Sequence, residues 1–208
     1  MTQVGFDRRT MIAAAVAAAA TPASAQTQEP AAPVRVRLET ARGAVVLELY
    51  PDKAPLTVAN FLRYVDGKLY DGATFYRANH PVGVTDFGLL QGGLHDNPTP
   101  ARLPPVAHEP TTETGILHRD GVISMGRFAP GTATSEFFVC VGDQAYLDAD
   151  PKASGDNLGF AAFGRAVEGM QVVRTILAAP TSATAGGPDM QGQILETPVA
   201  ILSARRVV

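Results

Sequence analysis

Tryptophan is missing from this 208-residue chain, cysteine occurs once, and there is no long run of either charge. Without tryptophan, aromatic contacts must come from nine phenylalanines and five tyrosines. One cysteine excludes an intrachain disulfide. Cys140 also lies in the strand-like run EFFVCV. No histidine or helix start stands near it to lower its pKa, so it reads as a buried structural thiol rather than a nucleophile. Charged residues make up only 18% and the net charge is −3, with no basic face for a nucleic-acid partner. The Arg205-Arg206 pair reads as a solvated strand end. Paired metal-ligand spacing is missing too: His80, His95, His108 and His118 are scattered and read as surface or turn histidines. His108-Glu109-Pro110 resembles a metal motif only superficially, and Asp148, Asp150 and Pro151 read as a turn. Gly92-Gly93 lacks the lysine and helix start of a phosphate loop. No metal and no cofactor is expected.

What is present is 46% apolar residues, enough for one packed domain. The first 25 residues read as an export signal rather than as part of the fold. Arg8-Arg9 precede an Ala-rich run from Ala13 to Ala20, and Ala23-Ser24-Ala25 has the small-x-small form of a cleavage site. The arginine pair and weakly apolar core look like a twin-arginine signal, with general secretory export as the alternative. The apolar run is too short to span a bilayer, so no stable membrane insertion is expected after cleavage near Ala25. Residues 26–33 read as a polar, Pro-containing linker and 34–208 as the folded domain. A periplasmic protein follows.

From Val34 the pattern VRVRLET alternates, turns at Ala41-Arg42-Gly43 and returns as AVVLELY, a β-hairpin. Pro55 opens a helix to about Asp66, with Val58, Phe61, Leu62 and Val65 at helical spacing and Gly67 as its stop. Short strands are expected at Thr74–Arg77, Leu89–Gly92, Val122–Gly126, Glu136–Val141, Phe160–Val167 and Pro198–Val207, and a second helix at Glu168–Leu177. The Gly/Ala/Pro-rich stretch from Leu177 to Thr197 reads as a surface loop. About eight short strands with two helices predict a mainly β fold, a closed eight-stranded antiparallel barrel capped by two α-helices. Closure removes strand edges that would invite pairing between copies, and a monomer is expected. Bulky inward residues such as Phe137, Val139 and Phe163 would fill the lumen, against a lipid or sugar carrier.

Six landmarks then occur in order: Phe75-Tyr76-Arg77, Gln91-Gly92-Gly93, Gly121-Val122-Ile123-Ser124-Met125, Thr134-Ser135-Glu136-Phe137-Phe138-Val139, Tyr146-Leu147-Asp148 and Phe160-Ala161-Ala162-Phe163-Gly164. From about Val34 onward the chain resembles the cyclophilin-type peptidyl-prolyl cis-trans isomerases. The resemblance implies an enzyme that rotates Xaa-Pro bonds during folding of exported proteins, with unfolded or extended proline-containing polypeptides as partners. By the same resemblance Arg77 is the catalytic donor and Gln91 bonds both Arg77 and the substrate backbone. Phe138 floors the proline pocket between Leu89 and Leu147, and the backbone at Gly126-Arg127 pairs with the substrate.

The chain departs from the family at several of these positions. Tyr76 and Phe160 stand where histidine is usual and would make the rim more apolar. Glu136 stands for glutamine, Arg127 for asparagine, and Tyr146 for a tryptophan whose N–H and area would serve cyclosporin binding. The connection from Arg77 to Gln91 is longer than usual and leaves Phe87 and Leu89 as alternatives for the pocket wall. Glu136 is expected to pair with Arg77 or Arg127, orienting the arginine or tying it up. In the second case the chain would be a catalytically weak proline-peptide binding module or holdase on the same fold.

Overall fold

In a computed structural model, residues 1–2, 31–95 and 102–207 are described; the expected leader from residue 3 on, most of the linker, residues 96–101 and Val208 lie outside them. The hairpin forms as β1 (Val34–Thr40) and β2 (Gly43–Leu49) in antiparallel register from Val34 opposite Leu49 to Thr40 opposite Gly43. Val36 and Leu38 face the core while Arg35 and Arg37 face outward, as a period of two requires. Helix α1 (Pro55–Asp66) runs between the expected bounds, with Pro55 in its first turn and Gly67 as its C-cap. Ala54 has no side-chain oxygen to cap it. The carboxylate of Glu109 does so from far along the chain, accepting the N–H groups of Leu56 at 3.1 Å and Thr57 at 2.7 Å. His108-Glu109 is therefore part of a helix cap: His108 lies beside it, within 2.9 Å of the Leu158 carbonyl oxygen.

Then follow β3 (Thr74–Asn79), β4 (Gly88–Gly93), the one-turn helix α2 (Thr111–Thr114), β5 (Val122–Met125), β6 (Phe137–Val141) and β7 (Ala162–Glu168). Helix α3 (Met170–Leu177), the two-residue β8 (Thr181–Ser182) and the long β9 (Ile194–Val207) complete the chain. The strands pair in the order β1-β2-β7-β5-β6-β4-β3-β9, and β9 returns to β1, so eight antiparallel strands close on themselves while β8 adds to β9. The predicted barrel is the fold. The sequence reading missed α2, whose four residues are too few to show a helical period.

The barrel interior is solid. Phe61 from α1 meets Tyr70 at 5.2 Å, Phe137 edge-on at 5.5 Å and Phe163 at 5.2 Å, and Phe75 meets Phe137 at 5.7 Å. Leu38, Leu47, Leu90, Val173 and Ile176 fill the remaining space. With these rings packed inside, the polar groups that could do chemistry are those on the outer face of the sheet. Arg205 and Arg206 pin the end of β9 to Asp71 and Asp66 through bidentate pairs of 2.6–2.8 Å. Both pairs are well exposed, so each contributes little. Phe61→Ala should therefore lower the unfolding free energy by about 3–5 kcal/mol in urea titrations, whereas Arg206→Ala should cost at most about 1 kcal/mol.

Candidate active site

The site begins with a slip in strand pairing. Phe75 lies opposite Gly92 and Arg77 opposite Gln91, which leaves Tyr76 as one extra residue in β3. The pairing with β9 slips at the same place. In a regular strand Tyr76 and Arg77 would point to opposite faces. The bulge lets Phe75 enter the core and turns both Tyr76 and Arg77 outward. Gly92 and Gly93 make this possible: a Cβ on Gly92 would lie 2.8 Å from the Phe75 ring. One on Gly93, which holds φ +149°, would lie 2.6 Å from a Glu136 carboxylate oxygen.

Across the outer face Arg77 neighbours Gln91, Gln91 neighbours Phe138, and Phe138 neighbours Ser124. Strands lie about 4.8 Å apart, so Phe138 is about 10 Å from Arg77 along the row. Phe138, Leu89, Leu147 and Cys140 form their own apolar cluster with Phe160 against it, separate from the core. The Phe160 ring meets Phe138 edge-on at 5.5 Å. Of the two alternatives Leu89 belongs to this patch, while Phe87 sits beside the turn at Gly142. Cys140 is fully buried and desolvation pushes its pKa up to about 12, an inert thiol.

Arg77 is half-buried, and burial pulls the guanidinium's pKa down from its ordinary value while leaving it a cation. Its Nε donates to Gln193 Oε1 at 2.8 Å and its Nη1 to Gln91 Oε1 at 2.9 Å. Gln193 comes from the Leu177–Thr197 stretch that reads as a mere surface loop. Nothing in its local pattern marks it, because only closure of β9 against β3 brings it there.

Glu136 pairs with neither arginine. Its Oε2 accepts the Tyr76 hydroxyl at 2.9 Å, and its Oε1 accepts Leu94 N–H and Ser135 Oγ–H, each at 3.0 Å. Arg127 is held elsewhere, by Asp156 at 2.5 and 3.0 Å and by the Gly159 carbonyl, with its guanidinium carbon 5.0 Å from the Phe160 ring centroid. The expected ion pair fails because the Gly159 turn reaches Arg127 first and Tyr76 reaches Glu136 first. Tyr76 is also no part of an apolar rim: it is 1% exposed, stacked on His95 at 4.6 Å and hydrogen-bonded. Tyr146, 66% exposed, does stand at the rim, its hydroxyl donating to Gln144 at 2.6 Å.

Two clefts flank the apolar patch. One of about 570 Å³ contains Tyr76, Arg77, Gln91, Gly126 and Glu136, and one of about 350 Å³ lies between Arg127, Tyr146, Asp148 and Phe160. The N–H of Gly126 donates to the Glu136 carbonyl at 2.8 Å. Among the described residues no group of three or more His, Cys, Asp or Glu could hold a metal ion.

His118, which reads as a surface or turn histidine, is instead fully buried beneath the patch, its ring within 18° of parallel to Phe138 at 6.0 Å. Its Nδ1 lies 2.7 Å from Asp148 and its Nε2 3.0 Å from Ser124 Oγ. Burial pulls its pKa below 6.5, against the opposing pull of Asp148, so the ring is neutral, donating from Nδ1 and accepting from Ser124. Asp148, read as a turn residue, thus fixes the ring that lies beneath Phe138. Hydrophobic spacing could not reveal this, since Asp148 lies 30 residues from His118 and none of the three is apolar.

A family model described as cyclophilin-type peptidyl-prolyl cis-trans isomerase matches residues 35–205. The peptidyl-prolyl cis-trans isomerase cyp18 of Streptomyces antibioticus is 36% identical over 172 residues, covering 82% of this chain and 96% of that protein. A peptidyl-prolyl cis-trans isomerase of Acinetobacter baylyi is 34% identical, with 82% and 84% covered. A Cryptosporidium parvum cyclophilin, solved in the presence of the dipeptide Ala-Pro, shares the fold with TM-score 0.64 at 18% identity, covering 84% of this chain and 99% of that one. The chain belongs to the cyclophilin-type peptidyl-prolyl cis-trans isomerases. The isomerase activity implied by the sequence landmarks is the activity of that family.

A neutral buried His118 binds fewer protons folded than unfolded, so its contribution is present above about pH 6.5 and is lost as pH falls below it. The melting temperature should therefore drop between pH 7 and pH 5.5, and His118→Gln should flatten that drop while lowering stability at pH 7.

Proposed function

We propose that this enzyme isomerises Xaa-Pro bonds in extended or unfolded polypeptides outside the cytoplasm, with Arg77 as the catalytic residue. The observation that carries the reading is the state of Arg77. The guanidinium is fixed on two edges by amide oxygens, joined to no carboxylate, and two strands away from an apolar patch floored by Phe138.

The barrier to peptide rotation, roughly 18–20 kcal/mol, comes from conjugation of the nitrogen lone pair with the carbonyl. For Xaa-Pro the isomers differ by only about 1 kcal/mol yet exchange over tens to hundreds of seconds. A proline ring on Phe138, between Leu89 and Leu147, is held by burial of its apolar face. The substrate backbone runs past Gly126-Arg127 in an extended form, with Gln91 bonding to it. As the bond twists, the prolyl nitrogen pyramidalises and its lone pair becomes a hydrogen-bond acceptor for Arg77. That interaction exists in the twisted state and not in either planar isomer, so it lowers the barrier without tightening ground-state binding. No proton or covalent bond changes hands. Glu136, Tyr146 and Phe160 shape the walls around the chain on either side of the proline. A binding-only role would be favoured by an arginine neutralised in an ion pair, and Arg77 has none among the described residues.

Export is supported by Arg8-Arg9, the alanine run and Ala23-Ser24-Ala25. A monomer is supported by barrel closure, which among the described residues leaves only the two-residue β8 as a sheet edge. Arg77→Ala should reduce turnover of a short peptide with one Ala-Pro bond by on the order of 10²–10³-fold, with the melting temperature unchanged; wild-type turnover would remove Arg77 from the mechanism. Lysine at both Arg8 and Arg9 should shift the protein from the periplasmic to the cytoplasmic fraction of producing cells, and unchanged fractionation would exclude twin-arginine export.

A further inference from the structure

The two departures at Tyr76 and Glu136 meet each other beside the catalytic arginine. Glu136 Oε2 accepts from the Tyr76 hydroxyl at 2.9 Å, and Tyr76 Oη in turn accepts Gln91 Nε2 at 2.7 Å. Gln91 Oε1 then accepts Arg77 Nη1 at 2.9 Å. The order of these bonds is forced from one end. The Glu136 carboxylate takes three donors, Tyr76, Leu94 N–H and Ser135 Oγ–H, and has none to give back. The single phenolic proton of Tyr76 is therefore committed to Glu136, and its oxygen can only accept on the other side. Gln91 must turn its NH₂ toward Tyr76, which leaves its carbonyl oxygen for Arg77. A flipped amide would set NH₂ against the guanidinium, donor against donor. Tyr76 is 1% exposed and Gln91 9%, so water cannot repair a broken link cheaply.

We infer that Tyr76 and Glu136 are positioning residues of the isomerase: together they set the amide orientation of Gln91 and through it aim Arg77. The bulge in β3 places Tyr76 next to Arg77, and Gly93, whose Cβ would strike the carboxylate at 2.6 Å, leaves room for Glu136. The inference rests on the reading of Arg77 as the catalytic donor. Glu136→Gln has a defined consequence. Leu94 N–H keeps the new amide oxygen, the new NH₂ faces Tyr76, and the tyrosine proton turns toward Gln91. Gln91 then presents NH₂ to Arg77 or loses one of its two bonds.

The test uses the full chain and a short peptide with one Ala-Pro bond, measuring kcat, peptide Kd and melting temperature for Tyr76→Phe, Glu136→Gln, the double variant and Arg77→Ala. Each single change should lower kcat about tenfold, with Kd within about twofold and the native circular-dichroism spectrum retained, while the melting temperature falls modestly because a buried hydrogen bond is lost. The double variant should be no slower than the worse single, because both changes cut the same relay. The Arg77 Nη–H resonances should be sharp in the parent and broaden in both single variants as the Gln91 bond to Nη1 is lost, while Nε–H, held by Gln193, changes less. If Arg77→Ala is inactive but both single variants keep kcat within twofold, the relay is overturned while the donor reading stands. Additive losses in kcat, Kd and melting temperature together would make the pair merely structural and also overturn it. An active Arg77→Ala would remove the donor reading, and the relay with it.

Discussion

Everything on the working face follows from one constraint: a barrel whose lumen is filled can act only through its outer surface, and strand alternation sends every second side chain inward. Phe61, Phe75, Phe137 and Phe163 pack against one another in the interior, each at most 1% exposed. In a regular β3 the inward Phe75 would be followed by one outward and one inward residue, and Arg77 would be driven into the core as an unpaired charge. The bulge at Tyr76 resolves the conflict, and Phe75 and Arg77 satisfy core and site from the same short strand. The glycines opposite answer the same demand. Gly92 yields space to the inward Phe75 and Gly93 to the carboxylate that Tyr76 contacts.

The apolar patch obeys a different logic. Phe138, Leu89 and Leu147 are nearly as buried as core residues, yet they lie on the solvent side of the sheet. What keeps the floor rigid is polar: beneath Phe138 the neutral His118 is fixed at both nitrogens by Asp148 and Ser124. A ring with both nitrogens satisfied cannot rotate without breaking a buried bond. Phe138 thus rests on a fixed polar support, as the proposed seat for a proline ring requires.

These layers were unequally legible in the sequence. Alternation in VRVRLET, helical spacing in Val58–Val65 and the Pro55 and Gly67 signals fixed elements that are local in sequence, and the structure has them at nearly the same bounds. The landmarks around Arg77, Gln91 and Phe138 gave the residues of the face but not their hydrogen-bond partners. Gln193 reaches Arg77 across 116 positions, Glu136 reaches Tyr76 across 60, and Asp148 reaches His118 across 30. Partner choice at such separations is decided by barrel closure and by which donor arrives at the shorter distance. Residue type cannot decide it. That is why the charge-based expectation for Glu136 failed: opposite charges were present, but Asp156 and Gly159 held Arg127 and neutral amides held Arg77.

The two groups hydrogen-bonded to Arg77 are neutral amides, and this suits its proposed role. A carboxylate about 4 Å from the guanidinium would attract it with about 4 kcal/mol at an effective dielectric of 20. The twisted prolyl nitrogen, an uncharged acceptor, would have to compete with that attraction. Amide oxygens fix the plane of the guanidinium through their dipoles and leave its charge uncommitted. Tyr76 and Gln91 stand between Glu136 and Arg77, so the nearby negative charge orders the hydrogen bonds without joining the cation. A carboxylate can therefore occupy the edge of this cleft and still leave the guanidinium uncommitted, provided the bulged tyrosine and Gln91 keep it two residues removed.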